Sequence, residues 1–301
     1  MPCIALPLRW ACTIWNRSAT WECGGLGDDP GMRKFACWVA TLFVLTSAWV
    51  VAVDRAVDEE PKSITVAAAA DLSAALKEIA ENYEKQTGVK VKLSFGASGA
   101  LTQQIRNHAP FDVFFSADMD YPRQLISHGD AESRSLYRYA IGKLALWTPV
   151  DSPLDVEHKG MNILSDPSVK KIAIANPQHA PYGRAAVAAM KHVDLYEQVS
   201  DRLVLGESIS QAAQFVESGN AQVGFVAMSF AASPAMQGKG KYWEIPAEAY
   251  PPLEQGVVVI KHSRHKREAL AFVEYIKTKP VADLLRRYGF TVPEQKETAQ
   301  K

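Results

Sequence analysis

Two short stretches, Ala67-Ala68-Ala69-Ala70-Asp71-Leu72 and Phe95-Gly96-Ala97-Ser98-Gly99-Ala100-Leu101, place small residues where an extended run gives way to a helical one. The first turn of a helix leaves several backbone N–H groups without intrahelical acceptors and carries about half a positive charge. Small side chains there let an oxyanion reach the bare amides. The chemistry that such a pair of junctions can do is capture of a small anion. Ser98 adds a hydroxyl donor, and Tyr182, pinned between Pro181 and Gly183, adds a phenol on a loop that precedes a helix. The plainer readings are a helix cap for Ser98 and a surface turn for Pro-Tyr-Gly. The pairing of the junctions weighs against the first, and the place of the loop opposite them weighs against the second.

Asp71 fits an anion site less easily. A carboxylate within about 4 Å of a dianion is repelled even at a generous dielectric, so its expected task is to cap its own helix while its backbone N–H serves the ligand. The functional alternative is a carboxylate that accepts a proton from a protonated anion such as hydrogen phosphate. Nucleophilic chemistry fails on spacing, because Ala100 stands where a nucleophile elbow needs its final glycine. A hydrolase or transferase acting on a phosphorylated or sulfated substrate is the competing reading. It needs a base beside Ser98, and only His179 stands in a junction loop.

The seven histidines form no metal pattern, and His262 and His265 lie in a basic run over 261–267 that reads as a solvated helix start. Asp118, Asp120 and Asp130 read as caps and turn residues, since their spacing is not that of a calcium loop. No metal ligand and no cofactor is expected. Lys+Arg and Asp+Glu are equal at 33 each, so no overall field recruits nucleic acid and an anion must be held by local groups.

The elements that must position these residues follow from hydrophobic patterning. A chain of 301 residues, 48% hydrophobic and 22% charged, has room for more than one core. From Ser63 onward, short β-branched or apolar runs alternate with amphipathic helices, the pattern of α/β domains with largely parallel sheets. Strands are expected over 64–67, 89–93, 112–116, 171–175, 203–205, 223–226 and 256–260. Helices are expected over 72–87, 98–106, 184–192, 209–218, 266–277 and 280–288. The run 139–147 is extended without an obvious turn, which suits a strand passing from one lobe to the other.

Before this region, Met32-Arg33-Lys34-Phe35 and the apolar run 36–53 read as a secretory signal cleaved after Ala48 or Ala52, with a retained membrane anchor as the rival reading. Residues 1–31 lack apolar periodicity and precede a second credible start at Met32. The four cysteines, Cys3, Cys12, Cys23 and Cys37, all fall at or before the signal, so disulfides and Cys-based chemistry are not expected in the mature chain.

Taken in order, Ala-Ala-Ala-Asp71-Leu, Gly96-Ala-Ser98-Gly99, Ala109-Pro-Phe-Asp-Val-Phe-Phe-Ser-Ala-Asp118, Asn176-Pro-Gln-His-Ala-Pro-Tyr182-Gly183, Gly224-Phe-Val226 and Arg287-Tyr-Gly-Phe290 resemble the periplasmic molybdate-binding proteins of ABC importers. The resemblance runs from about Ile64 to Pro293. It implies a two-lobed type II periplasmic binding-protein fold of the α/β class, with parallel-rich sheets and a ligand cleft between lobes. Lobe 1 would comprise 63–143 plus 250–297, lobe 2 would comprise 144–249, and 1–52 would be the upstream extension and signal. It implies molybdate or tungstate as ligand, a membrane permease as partner, a monomer, and a periplasmic location. Carried over position by position, the ligand oxygens would meet Ala70, Asp71, Ser98, Tyr182 and the backbone N–H of Ile209. Many relatives have Ser where this chain has Asp71, and some have Tyr where it has Ala227, a loss for which Tyr182 would compensate.

Overall fold

The computed structural model describes residues 62–293, and the signal expected near 32–52 lies outside them. The chain opens with β1 (Ser63–Ala69), a 3-10 turn (Ala70–Leu72) and α1 (Ser73–Thr87). Helix α1 buries Ala75, Leu76, Ile79, Ala80 and Tyr83, the i, i+3, i+4 spacing of one helical face. It stops at Gly88, whose φ of 72° is a left-handed conformation suited to glycine and whose N–H returns to the Glu84 carbonyl. Then come β2 (Lys90–Gly96), α2 (Ser98–Arg106), β3 (Val113–Ser116), α3 (Asp120–His128) and β4 (Tyr137–Gly142).

After Lys143 the chain enters a second sheet. It contributes β5 (Leu144–Pro149), α4 (Val156–Lys159), β6 (Ile172–Ala175), α5 (Pro181–His192) and α6 (Tyr196–Val199). It continues with β7 (Leu203–Gly206), α7 (Ile209–Glu217), β8 (Val223–Ala227), α8 (Met228–Ala231) and β9 (Gly240–Glu244). β10 (Leu253–Val259) returns to the first sheet and is followed by α9 (Lys266–Ile276) and α10 (Lys279–Arg287).

The strand orders are β2-β1-β3-β10-β4 and β7-β6-β8-β5-β9. In each sheet the first three strands are parallel and the last two run antiparallel to their neighbours, so the second half repeats the first. Register then fixes where the junctions emerge. Ala69 stands opposite Gly96, and Ala175 opposite Gly206, so the loops after β1 and β2 leave one sheet side by side, as do those after β6 and β7 in the other. The C-terminal edges of parallel strands are where α/β folds place ligands.

Each half has its own apolar core. In the first, the Phe272 ring packs 4.9 Å from Tyr83 and 6.1 Å from Phe115, edge-on in both cases. Among the described residues no helix is long and apolar enough to cross a membrane.

Most expected elements are present within a residue or two, and several differ. The run 139–147 is two strands in different sheets, β4 and β5, broken at Lys143. Helix α3 and the edge strand β9 were not foreseen. Helix α5 begins at Pro181, so Tyr182 lies in its first turn and not on a loop, with proline at the position where its missing N–H costs nothing. Asp71 is no cap: it sits inside the 3-10 turn, and neither that turn nor α1 receives a side-chain cap.

Candidate functional site

The two sheets bring their junctions to one narrow cavity of about 10 Å³, lined by Ala69, Ala70, Asp71, Gly96, Ala97, Ser98, Ala117, Ala180, Pro181, Tyr182 and Ile209. All the candidate residues of the sequence are among them. Ala70 and Asp71 come from the turn after β1, Ser98 opens α2, Tyr182 lies in the first turn of α5, and Ile209 opens α7. The starts of these helices abut the cavity, and none of the lining residues is a lysine or arginine. An anion here would be met by amide dipoles and hydroxyls instead of a counter-charge.

Ser98 is buried, and its Oγ accepts the Ala117 N–H at 3.0 Å, leaving its own hydrogen to donate. Ile209 follows Ser208, whose hydroxyl caps α7 by accepting from the Gln211 N–H.

The Tyr182 phenol is buried and differs from the expectation of a free ligand donor. Its O–H donates to Asp71 Oδ2 at 3.1 Å and accepts from Gln255 Nε2 at 3.3 Å. Gln255 Nε2 also donates to Asp71 Oδ2, while its Oε1 accepts the Tyr139 O–H at 2.6 Å. Asp71 is thus the acceptor at the centre of a buried polar network. Its Oδ1 has no hydrogen-bond partner among the described residues. Burial pushes its carboxyl up to about 6, against the hydrogen bonds from Gln255, Tyr182 and the backbone amides of Asp71 and Leu72 that favour the charged form. Burial likewise raises the phenols of Tyr139 and Tyr182 well above the ordinary tyrosine value, with the Asp71 charge adding to both.

Gln255 and Tyr139 were missed in the sequence. The available signal was polarity out of place: Gln255 is fully buried in a strand that continues Gly-Val-Val-Val. A buried amide needs partners, and its position inside an apolar strand predicts a network.

Other bonds tie the two halves around the cavity. Ser210 Oγ donates to the Ala70 carbonyl at 3.1 Å, Ser229 Oγ to the Asp71 carbonyl at 2.6 Å, and the Gly99 N–H to the His179 carbonyl at 2.9 Å. At the rim, Arg184 pairs with Asp118 at 2.5 Å and reaches the Tyr121 hydroxyl. Asp118 Oδ1 accepts the amides of Asp120 and Tyr121, as its reading as a turn residue requires. The His179 ring is engaged on the second half, with Nε2 placed 3.1 Å from the Glu207 carbonyl.

A larger groove of about 470 Å³ lies at the opposite edge of the first sheet, beside His108, His262 and His265. Its buried carboxylate, Asp112, is already engaged by the Thr65 N–H, the Ser263 hydroxyl and His265. Size alone therefore does not single out a candidate site, and the convergence of helix starts points to the smaller cavity.

A family model described as bacterial extracellular solute-binding protein matches residues 64–291. The molybdate-binding protein ModA of Azotobacter vinelandii is 39% identical over 227 residues, covering 75% of this chain and 89% of the relative. The molybdate-binding protein ModA of Rhodobacter capsulatus is 38% identical over 229 residues, covering 75% and 87%. The solved periplasmic molybdate-binding protein of Azotobacter vinelandii superposes with a TM-score of 0.73 at 35% identity, covering 77% of this chain and all of that one. With its paired α/β sheets and the family match over residues 64–291, the chain belongs to the bacterial extracellular solute-binding proteins.

Proposed function

We propose that this protein is the exported, periplasmic solute-binding component of an ABC importer and captures molybdate or tungstate between its two halves. The observation that carries the reading is the cavity itself. Helix starts from both sheets, the Ser98 hydroxyl and the amides near Ala70, Asp71 and Ile209 converge on it, and no lysine or arginine lines it. An oxyanion without a bound cation is the ligand such a donor set fits. Relatives named as molybdate-binding proteins, aligned over most of their length, support the choice of ion.

In this reading 63–143 with 250–297 form lobe 1 and 144–249 form lobe 2, joined where β4 passes to β5 and where β9 returns to β10. The lobes close on the ion, and the loaded monomer presents both to a membrane permease. No cofactor and no nucleic acid takes part. The chain acts as a carrier and not as an enzyme: the Ser98 hydroxyl accepts the Ala117 N–H, and His179 Nε2 is engaged at the Glu207 carbonyl.

A ligand bound only by the native state stabilises it by RT ln(1 + [L]/Kd), about 2.7 kcal/mol at a hundredfold excess over Kd. For a folded unit of this size, molybdate is expected to raise the melting temperature by roughly 5–11 °C. Sulfate, a smaller ion, spans both lobes' donors less well and should shift it much less. Equal shifts in a thermal melt would count against molybdate.

A further inference from the structure

We propose that Asp71 enters the closed, loaded cavity as the neutral acid, with a proton on Oδ1 that is donated to an oxygen of the bound ion. The inference deepens the oxyanion reading and rests on it.

The hydrogen-bond inventory carries the argument. Asp71 Oδ2 accepts from Tyr182 and Gln255, which saturates that oxygen from two sides. Oδ1 is buried and receives no well-formed hydrogen bond among the described residues; only the Asp71 and Leu72 amides of its own turn approach the carboxylate. A charged carboxylate with one buried oxygen unpaired is costly, and a dianion in the same cavity adds direct repulsion. A proton on Oδ1 removes both penalties. It converts the unpaired oxygen into a donor where the cavity otherwise offers only amides and the Ser98 hydroxyl.

No neighbour can supply that proton or take the acid's place. The groups facing Asp71 are Tyr139 on β4, Tyr182 on α5 and Gln255 on β10. Ser210 on α7 bonds to the Ala70 carbonyl and Ser229 on α8 to the Asp71 carbonyl. Tyr250 acts on the cluster only through Tyr182, and burial keeps all three phenols protonated. The proton therefore comes from solvent as the halves close. Burial in this cavity raises the carboxyl from 3.8 to about 6; in an open, solvated cleft that push would be lost, and an enclosed dianion would raise it further. Between those limits the bound state holds one more proton than the free state. Raising the pH through this window depletes the competent form and weakens binding.

The test is calorimetry of the purified protein with molybdate at pH 6.5, in two buffers of different ionisation enthalpy that are not themselves oxyanions. The expected result is uptake of close to one proton per ion, with Kd weakening by up to about tenfold per pH unit above that. Asp71→Asn keeps one donor and one acceptor in the same plane, so it should bind molybdate with no proton uptake and a flat pH profile. Molybdate binding by the wild type without proton uptake overturns the inference and leaves the oxyanion reading standing. Binding of no tetrahedral oxyanion at all overturns both.

Discussion

Gly99→Ala is expected to leave the melting temperature of the unliganded protein close to wild type and to weaken molybdate binding by roughly 10- to 100-fold. A methyl group at Gly99 would stand 2.8 Å from both the Cβ and the carbonyl oxygen of His179, and 2.6 Å from the Tyr121 hydroxyl. Tyr121 can turn away, because its hydroxyl is the far end of a side chain. His179 cannot, since backbone is involved and the Gly99 N–H is bonded to that same carbonyl at 2.9 Å. Gly99 belongs to the first sheet's half and His179 to the second, so the clash exists only when the halves meet. Overpacking of this kind costs about 1–3 kcal/mol, and here it falls on closure instead of folding. Wild-type affinity in this variant would mean that the halves do not close at this contact.

Gly183→Ala should instead damage the fold. A Cβ there would lie 2.2 Å from the Ala175 carbonyl oxygen and 2.9 Å from the Asn176 carbonyl carbon, all backbone, within one half. Helix α5 packs this closely on the end of β6 only because Gly183 has no side chain. The helix start must move, taking Tyr182 with it and stretching its bond to Asp71. A cost of about 1–3 kcal/mol corresponds to a melting point lower by roughly 2–4 °C per kcal/mol, with loss of ion affinity as well. A differential scanning experiment that finds the wild-type midpoint would show that the helix start adapts without cost.

The contrast between these glycines shows what a sequence carries. Small residues at strand-to-helix junctions were legible because the requirement is local: a bare helix start needs no side chain in the way. Register, which sets Ala69 beside Gly96 and Ala175 beside Gly206, follows from parallel pairing of strands that the patterning already located. The polar network was less legible. Gln255 meets Asp71 across a sequence separation of 184 residues, and only the return of β10 between β3 and β4 brings them together. Asp71 was misread for the related reason that an acid before a helix suggests a cap. The intervening 3-10 turn carries its side chain inward to Tyr182 and Gln255.

The missed elements have physical causes too. Helix α3 fully buries only Pro122 and Leu125, with Tyr121 and Ile126 partly buried beside them, and its nine residues are short for a helical period to stand out. Strand β9 is an edge strand with no fully buried residue, so its alternation is weak. Tyr182 was placed on a loop because Pro-Tyr-Gly is turn-like in isolation, whereas proline in the first turn of a helix is equally at home.

The central claim is that one tetrahedral oxyanion binds in the cavity between the sheets and that its size selects molybdate or tungstate. Calorimetric titration of the purified protein with molybdate, tungstate, sulfate and phosphate tests it most directly. The account predicts one site per chain, comparable tight binding of molybdate and tungstate, and far weaker binding of sulfate and phosphate. Phosphate binding tighter than molybdate, or no heat with any of the four ions, would contradict it.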